Sequence, residues 1–154
     1  FENADIPAAS IDVAYSIFVL EHVVNASSFW DKLQTVLRPG GVFLGITADS
    51  RHYFSAVSQL MQVLRVKDLY LKLLRGKRGE ERYDNFPTAY RTNSPRRIAK
   101  LASSFSSCNC HSMHRIGQLD YYFPHRLRVL SHAADYCTMK LGLPGSILLV
   151  EATK

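Results

Sequence analysis

The sequence predicts an α/β fold: a mixed, at least partly parallel sheet flanked by helices. Three observations carry that prediction. Ile11–Ile17 is a short, mostly apolar run of strand formers, which suits a buried parallel strand better than an alternating, half-solvated one. A strand, a helix and a second strand then follow in direct succession up to Thr47, the span of a crossover unit that joins parallel strands. A last apolar run, Gly145–Ala152, comes after further helical periodicity, with no internal repeat and no low-complexity tract.

Taken in order, Ile11–Ile17 reads as a central strand. Beyond a loop through His22, the residues Phe29, Trp30, Leu33, Val36 and Leu37 recur at helical spacing, with Asn25 or Ser27 as cap and Arg38-Pro39-Gly40-Gly41 as stop. Gly41–Thr47 is the second strand. Between Ser55 and Leu74 the apolar residues Val57, Leu60, Met61, Leu64, Leu71 and Leu74 keep helical spacing, with Arg65, Lys67, Lys72 and Arg75 among them, so an amphipathic, basic helix is expected. Gly76–Asn93 is polar and aperiodic, which makes residues 51–93 together a helical and loop cover segment. Asn93 or Ser94, followed by Pro95, starts a helix that continues through Ile98, Leu101 and Ala102. Cys108–Ile116 is a weakly alternating strand, Pro124–Leu141 a helix closed by Gly142 and Pro144, and Gly145–Ala152 the final strand.

With 154 residues, 47% of them hydrophobic and 21% charged, the composition is that of one globular domain. No apolar run approaches the roughly 20 residues that span a bilayer, and no signal peptide is visible, so no membrane span is expected. Cys108, Cys110 and Cys137 are an odd number, which argues against a disulfide framework and for a reducing compartment; the expected location is cytoplasmic. The chain opens at Phe1 and runs at once into a strand pattern, as a sequence that begins inside a larger domain would. The net charge of +6 is concentrated in the middle third, from Arg65 to Arg97. Such a stretch attracts an anionic substrate, a nucleic acid or a membrane surface, or else is simply a solvated helix face and its loop.

Three segments, in order, resemble the class I S-adenosylmethionine-dependent methyltransferases. They are Ile11-Asp12-Val13-Ala14-Tyr15-Ser16 followed by Val19-Leu20-Glu21-His22-Val23, then Leu37-Arg38-Pro39-Gly40-Gly41-Val42-Phe43, and Phe86-Pro87-Thr88-Ala89-Tyr90-Arg91-Thr92-Asn93-Ser94-Pro95. The resemblance covers nearly the whole chain and implies a partial Rossmann-like sheet: strands four to seven of seven, the last antiparallel. It implies S-adenosylmethionine as cofactor and a small-molecule acceptor methylated on oxygen, nitrogen or carbon. The glycine-rich turn and the acidic residue that hold most of that cofactor belong to the first three strands, and no Gly-x-Gly-x-Gly occurs here. The chain alone is therefore expected to bind cofactor weakly or not at all and to be inactive by itself. Losing three strands would also leave Ile11–Ile17 as a sheet edge, with Val13 and Phe18 poorly covered.

The resemblance assigns the cofactor side to Glu2 and Asn3, where a carboxylate or amide suits the amino group of adenine, and to Ser16, Ile17, Phe18 and Glu21 at the carboxyl end of the first strand. Ligands in open parallel sheets bind at such ends. His22 is the candidate proton acceptor, histidine being the side-chain type most often used for that task. On the plainer reading it packs the loop while Glu21 is solvated or paired with a lysine or arginine. Some relatives hold a divalent ion with Glu-x-x-Glu-His, but Phe18 stands in place of the first Glu, so no metal is expected. Tyr53, Tyr90 and Arg91 are the candidate acceptor-binding residues, and Tyr121-Tyr122-Phe123 is an aromatic wall or simply core. Cys108-x-Cys110-His111 with His114 matches no usual zinc spacing. Two rival classes stay open. One is a nucleic-acid or anionic-surface binding module, with nucleic acid the less favoured partner; the other is a non-catalytic methyltransferase-like subunit. The oligomeric state is not legible.

Overall fold

Four strands form one sheet in the order β1-β2-β4-β3: β1 (Ile11–Ile17), β2 (Leu37–Ala48), β3 (Ser107–Met113) and β4 (Ile147–Thr153). β1 and β2 are parallel, and β4 lies antiparallel between β2 and β3. The molecule is described by a computed structural model over residues 1, 3–66, 69–70, 72–73, 88–117, 120 and 125–154. All four predicted strands are present. β2 starts earlier than expected, directly from the preceding helix, and β3 ends at Met113 rather than Ile116.

The chain divides into two compact units. The first comprises Phe1–Asp49, Thr88–Met113 and Ile147–Lys154; the second comprises Ser50–Pro87 and His114–Ser146. The polar stretch after Thr88, read as part of a cover segment, thus belongs to the unit that carries the sheet.

In the first unit, α1 (Ala26–Val36) begins where the side chain of Asn25 accepts a hydrogen bond from the Ser28 amide at 3.2 Å. It buries Phe29, Trp30, Leu33 and Val36 against one face of the sheet. That face presents Phe43, Leu148, Val150 and Ala152, and Trp30 meets Phe43 and Phe105 edge-on at 5.5 and 5.7 Å. The indole nitrogen donates to Thr92 Oγ1 at 3.0 Å, which satisfies its one donor in the core. α3 (Pro95–Leu101) adds Ile98 to the same cluster. On the other face, alternate β1 residues Val13, Tyr15 and Ile17 pair with Val42, Leu44 and Ile46 and stay largely open, Tyr15 at 77%. Among the described residues β1 and β3 are the two sheet edges, and Val13 and Phe18 are exposed at the first.

The second unit contains α2 (Tyr53–Val63), a short 3-10 turn at His125–Leu127 and α4 (Arg128–Lys140). α2 is shorter than the expected Ser55–Leu74 helix. The Arg65 amide bonds to Gln62 O and the Val66 amide to Met61 O, both at 3.1 Å, while Arg65 takes the left-handed φ of +57°. This is the helix-closing turn that glycine usually supplies, and here an arginine adopts it, so the sequence carries no stop signal. α4 closes the same way with Gly142 at φ +64°, as the glycine predicts. Lys67, Leu71, Leu74 and the aromatic run Tyr121-Tyr122-Phe123 lie outside the described residues.

Candidate functional site

The carboxyl end of β1 is built by an abrupt stop. The Phe18 amide still donates to Ile46 O at 2.7 Å, but Phe18 itself takes φ +51°, a left-handed conformation that costs a bulky residue energy and is retained only when the surroundings enforce it. A single 3-10 turn, Leu20–His22, follows and is held by the His22 amide on Val19 O at 2.9 Å. Leu20 turns into the core over Gly45, where a Cβ would meet the Leu20 methyl and the Phe43 ring at 3.1 to 3.2 Å; glycine is the residue that fits.

Glu21 is not solvated, and no lysine or arginine pairs with it among the described residues, which overturns the plainer sequence reading of that residue. It is 7% exposed, and its Oε2 accepts from Thr47 Oγ1 at 2.7 Å. Thr47 is in turn reached by Asn93 Nδ2 at 2.6 Å, and that amide nitrogen also donates to Ala48 O at 3.2 Å. The backbone oxygen of Glu21 accepts from the amides of Ala89 and Tyr90 at 2.7 and 3.2 Å. A buried carboxylate needs such donors, because stripping it of water is costly. The outcome is mechanical: the loop after β1, the end of β2 and the segment before α3 are pinned at one point. Sequence reasoning did not find Thr47 or Asn93 as partners of Glu21. The available signal was a hydroxyl at the end of an otherwise apolar strand.

The same end of the sheet also receives the start of the chain. The Phe1 ring packs at a tilt on Phe29 in the first turns of α1, 5.2 Å between ring centres, while the Ala9 and Ser10 amides bond to Thr35 and Val36 O at its close. Phe1 and residues 3 to 10 therefore lie along α1, from the end where β1 stops to the end where β1 starts. Asn3 is exposed at the former, and Glu2 lies outside the described residues.

Ser16, Ile17, Phe18 and His22 complete this end. Ile17 and Phe18 are exposed, as is His22 on the turn that buries Glu21. The Ser16 hydroxyl is buried with no hydrogen-bond partner, an expense that a folded protein rarely leaves unanswered. An unpartnered hydroxyl next to exposed apolar residues at a strand's carboxyl end is a set of groups compatible with one wall of an S-adenosylmethionine site. Of the three acceptor-binding candidates, Arg91 is exposed. Tyr90 is buried at φ +49°, its carbonyl accepting from Arg97 at 2.6 Å. Tyr53 belongs to the second unit, where its hydroxyl donates to Asp135 Oδ1 at 2.6 Å; burial, that bond and the Asp135 charge push its pKa up. The structure thus holds Ser16–His22 together at the carboxyl end of β1 but gives Tyr90 and Tyr53 structural engagements.

Cys108 and Cys110 share the α1-facing side of β3, with Cys110 hydrogen-bonding to Cys108 and lowering its pKa against the effect of burial. Among the described residues no three His, Cys, Asp or Glu side chains gather as a metal cluster would.

The family described as a methyltransferase domain matches residues 1–45, which hold β1, the 3-10 turn, α1 and most of β2. No curated protein matches the sequence. Among solved structures, the chain is similar to an S-adenosylmethionine-dependent methyltransferase from Thermotoga maritima (TM-score 0.58, 12% identity, 99% of this chain and 60% of that one). It is similar also to a methyltransferase from Haloferax volcanii in complex with a methyltransferase activator (TM-score 0.59, 11% identity, 99% and 57%). A third is phosphoethanolamine N-methyltransferase 2 of Haemonchus contortus, bound to phosphomonomethylethanolamine and S-adenosylhomocysteine (TM-score 0.54, 12% identity, 99% and 35%). The chain spans 60% or less of these three proteins. The chain thus shares the fold of these S-adenosylmethionine-dependent methyltransferases, a partial Rossmann-like arrangement of a four-stranded mixed sheet with flanking helices.

Proposed function

We propose that the chain is the C-terminal part of an S-adenosylmethionine-dependent methyltransferase acting on a small-molecule oxygen, nitrogen or carbon acceptor. The observation that carries this is the buried, unpartnered Ser16 hydroxyl beside exposed Ile17 and left-handed Phe18, at the carboxyl end of a parallel strand. S-adenosylmethionine, when bound, supplies a methyl group on a positively charged sulfur. Everything else is positioning, which is where most of the rate advantage in direct group transfer arises.

Each role below belongs to the same proposal. Ser16 offers a hydroxyl that both donates and accepts, Ile17 and Phe18 give an apolar lining, and Glu2 with Asn3 takes the adenine edge. Glu21 acts through its bonds to Thr47 and through Ala89 and Tyr90: it fixes the turn that carries His22 and is a positioning residue. His22 stands exposed on that turn and accepts the proton released when an acceptor hydroxyl or amine is methylated. Arg91, also exposed, contributes to acceptor binding, and the compartment is the cytoplasm.

Titration of the full-length protein with S-adenosylhomocysteine by calorimetry tests the reading. Ser16→Ala should weaken binding by about tenfold, the worth of one well-placed hydrogen bond. His22→Ala should lower kcat while leaving that affinity nearly unchanged. The 154-residue chain alone should bind weakly, since one wall of the site is absent. Tight binding by the short chain overturns the division of the site, and no binding by the full-length protein favours a non-catalytic subunit.

A further inference from the structure

We propose that Cys108 and Cys110 form a two-coordinate site for a monovalent thiophilic metal ion, copper(I), on the edge strand β3. Side chains alternate along that strand. Cys108 and Cys110 therefore share the face that packs on the core cluster of Phe43, Val150 and Ala152, while Ser107, Asn109 and His111 are exposed. Both cysteines are only partly buried, so neither is sealed inside that cluster. The Cys110 thiol donates a hydrogen bond to the Cys108 sulfur, which brings the two sulfur atoms together and favours the thiolate at Cys108. Two cysteines against a core can serve simply as small apolar residues. The thiol-to-thiol hydrogen bond sets this pair apart, because it already holds both donors where one ion would meet them.

The number of donors decides which ion fits. A structural zinc ion takes four ligands, whereas among the described residues no three His, Cys, Asp or Glu side chains gather. His111, next in sequence, falls on the opposite face of the strand. Copper(I) is soft, prefers thiolate, and is satisfied by two of them. A direct disulfide competes for the same sulfurs, but strand geometry opposes it: Cα atoms two residues apart in a strand are separated by about 6.6 Å, against about 5.5–6 Å in the usual disulfide. An ion between the sulfurs replaces one sulfur–sulfur bond by two metal–sulfur bonds. That longer bridge spans the pair while β3 keeps its pairing of Cys108 with Ala152 and of Cys110 with Val150. Binding is a ligand exchange without change of oxidation state. Two copper–sulfur bonds form, two sulfur–hydrogen bonds break, both protons pass to water, and copper remains copper(I). The inference is independent of methyl transfer and stands or falls without it.

The experiment is an anaerobic titration of the fully reduced chain with copper(I) presented as its bicinchoninate complex. The chain should withdraw one equivalent of copper and gain the ultraviolet absorption of a copper thiolate. Cys108→Ser and Cys110→Ser should each abolish that withdrawal. Cys137→Ser, at an exposed position of α4, should leave it unchanged. Circular dichroism checks that the serine variants keep their fold. X-ray absorption of the copper-loaded wild-type chain provides a readout that needs no variant: two sulfur neighbours around the metal and no nitrogen. Zinc(II) in excess should not displace the copper, since the pair offers too few ligands for it. The proposal is overturned if the chain takes no copper from the chelator, or if uptake survives both single substitutions. A nitrogen ligand in the copper shell overturns it as well. So does uptake of half an equivalent with dimerisation on gel filtration, which would mean that two chains share one ion through single cysteines.

Discussion

The two units place their apolar residues in opposite ways. Every fully buried apolar side chain among the described residues belongs to the first unit, from Leu20 and Trp30 to Leu148 and Ala152. The fully buried polar side chains of the second are His52, Ser55, Ser58, Ser131, Asp135 and Ser146, while Val63, Val129, Leu130 and Leu141 face outward. Burial of apolar surface is the main favourable term in folding. The first unit therefore holds itself together. Among its described residues the second shows polar ties instead, such as Tyr53 to Asp135 at 2.6 Å and the Gly117 amide to the same carboxylate at 3.0 Å.

The contrast is broken most directly by paired truncations. Trp30→Ala removes the largest fully buried side chain of the first unit and should cost about 3–5 kcal/mol in urea denaturation. Leu64→Ala in the second unit should stay within about 0.5 kcal/mol, as exposed substitutions do. Comparable losses from both would mean that the outward leucines have a hidden folded-state partner, and the distinction between the units would fail.

A smaller effect is expected inside the first unit at its polar point. Thr47→Val keeps the shape but takes the donor from Glu21 and the acceptor from Asn93, leaving buried groups unsatisfied at a cost of about 1–3 kcal/mol. A double-mutant cycle of Thr47→Val with Asn93→Ala should show coupling above about 0.5 kcal/mol, since the two share a hydrogen bond. Additive losses would mean that the three side chains do not act together.

Much of this fold is legible in the sequence because strands announce themselves by composition. Ile11–Ile17 and Ile147–Thr153 are apolar runs, and α1 shows its buried face by the spacing of Phe29, Trp30, Leu33 and Val36. The site is legible only in outline. Ser16 and Phe18 follow from strand polarity, but the partners of Glu21 sit in other elements: Thr47 at the end of β2 and Asn93 before α3, and no local pattern links residues so far apart. The direction of α2 is hidden for a different reason. Periodicity tells which residues share a face and is silent on whether that face looks inward. A helix with leucines on one side and serines on the other reads as a core helix until the structure shows the serines buried.

The smallest loss expected from breaking a tie lies at Tyr53, in the second unit, and it tests whether the polar contacts described there matter. Burial, the hydrogen bond to Asp135 and the charge of that carboxylate all raise the Tyr53 pKa above the ordinary value of about 10. The folded state therefore favours the neutral phenol, which donates, over a phenolate, which would face Asp135 with like charge. The stability this contributes is fully present below the ordinary tyrosine pKa and is lost as pH climbs through it toward the higher folded value. Tyr53→Phe should cost about 1 kcal/mol at neutral pH, the typical net worth of one such bond. That deficit should shrink as pH rises above about 10, because the unfolded wild-type chain then ionises a tyrosine that the variant lacks. Denaturation at a series of pH values measures the difference, and phenolate absorbance provides the control: the variant should lose only the most alkaline component of the titration. A deficit that stays constant with pH would mean that Tyr53 supports α2 by packing on His52, whose ring lies 4.2 Å away, and not through Asp135.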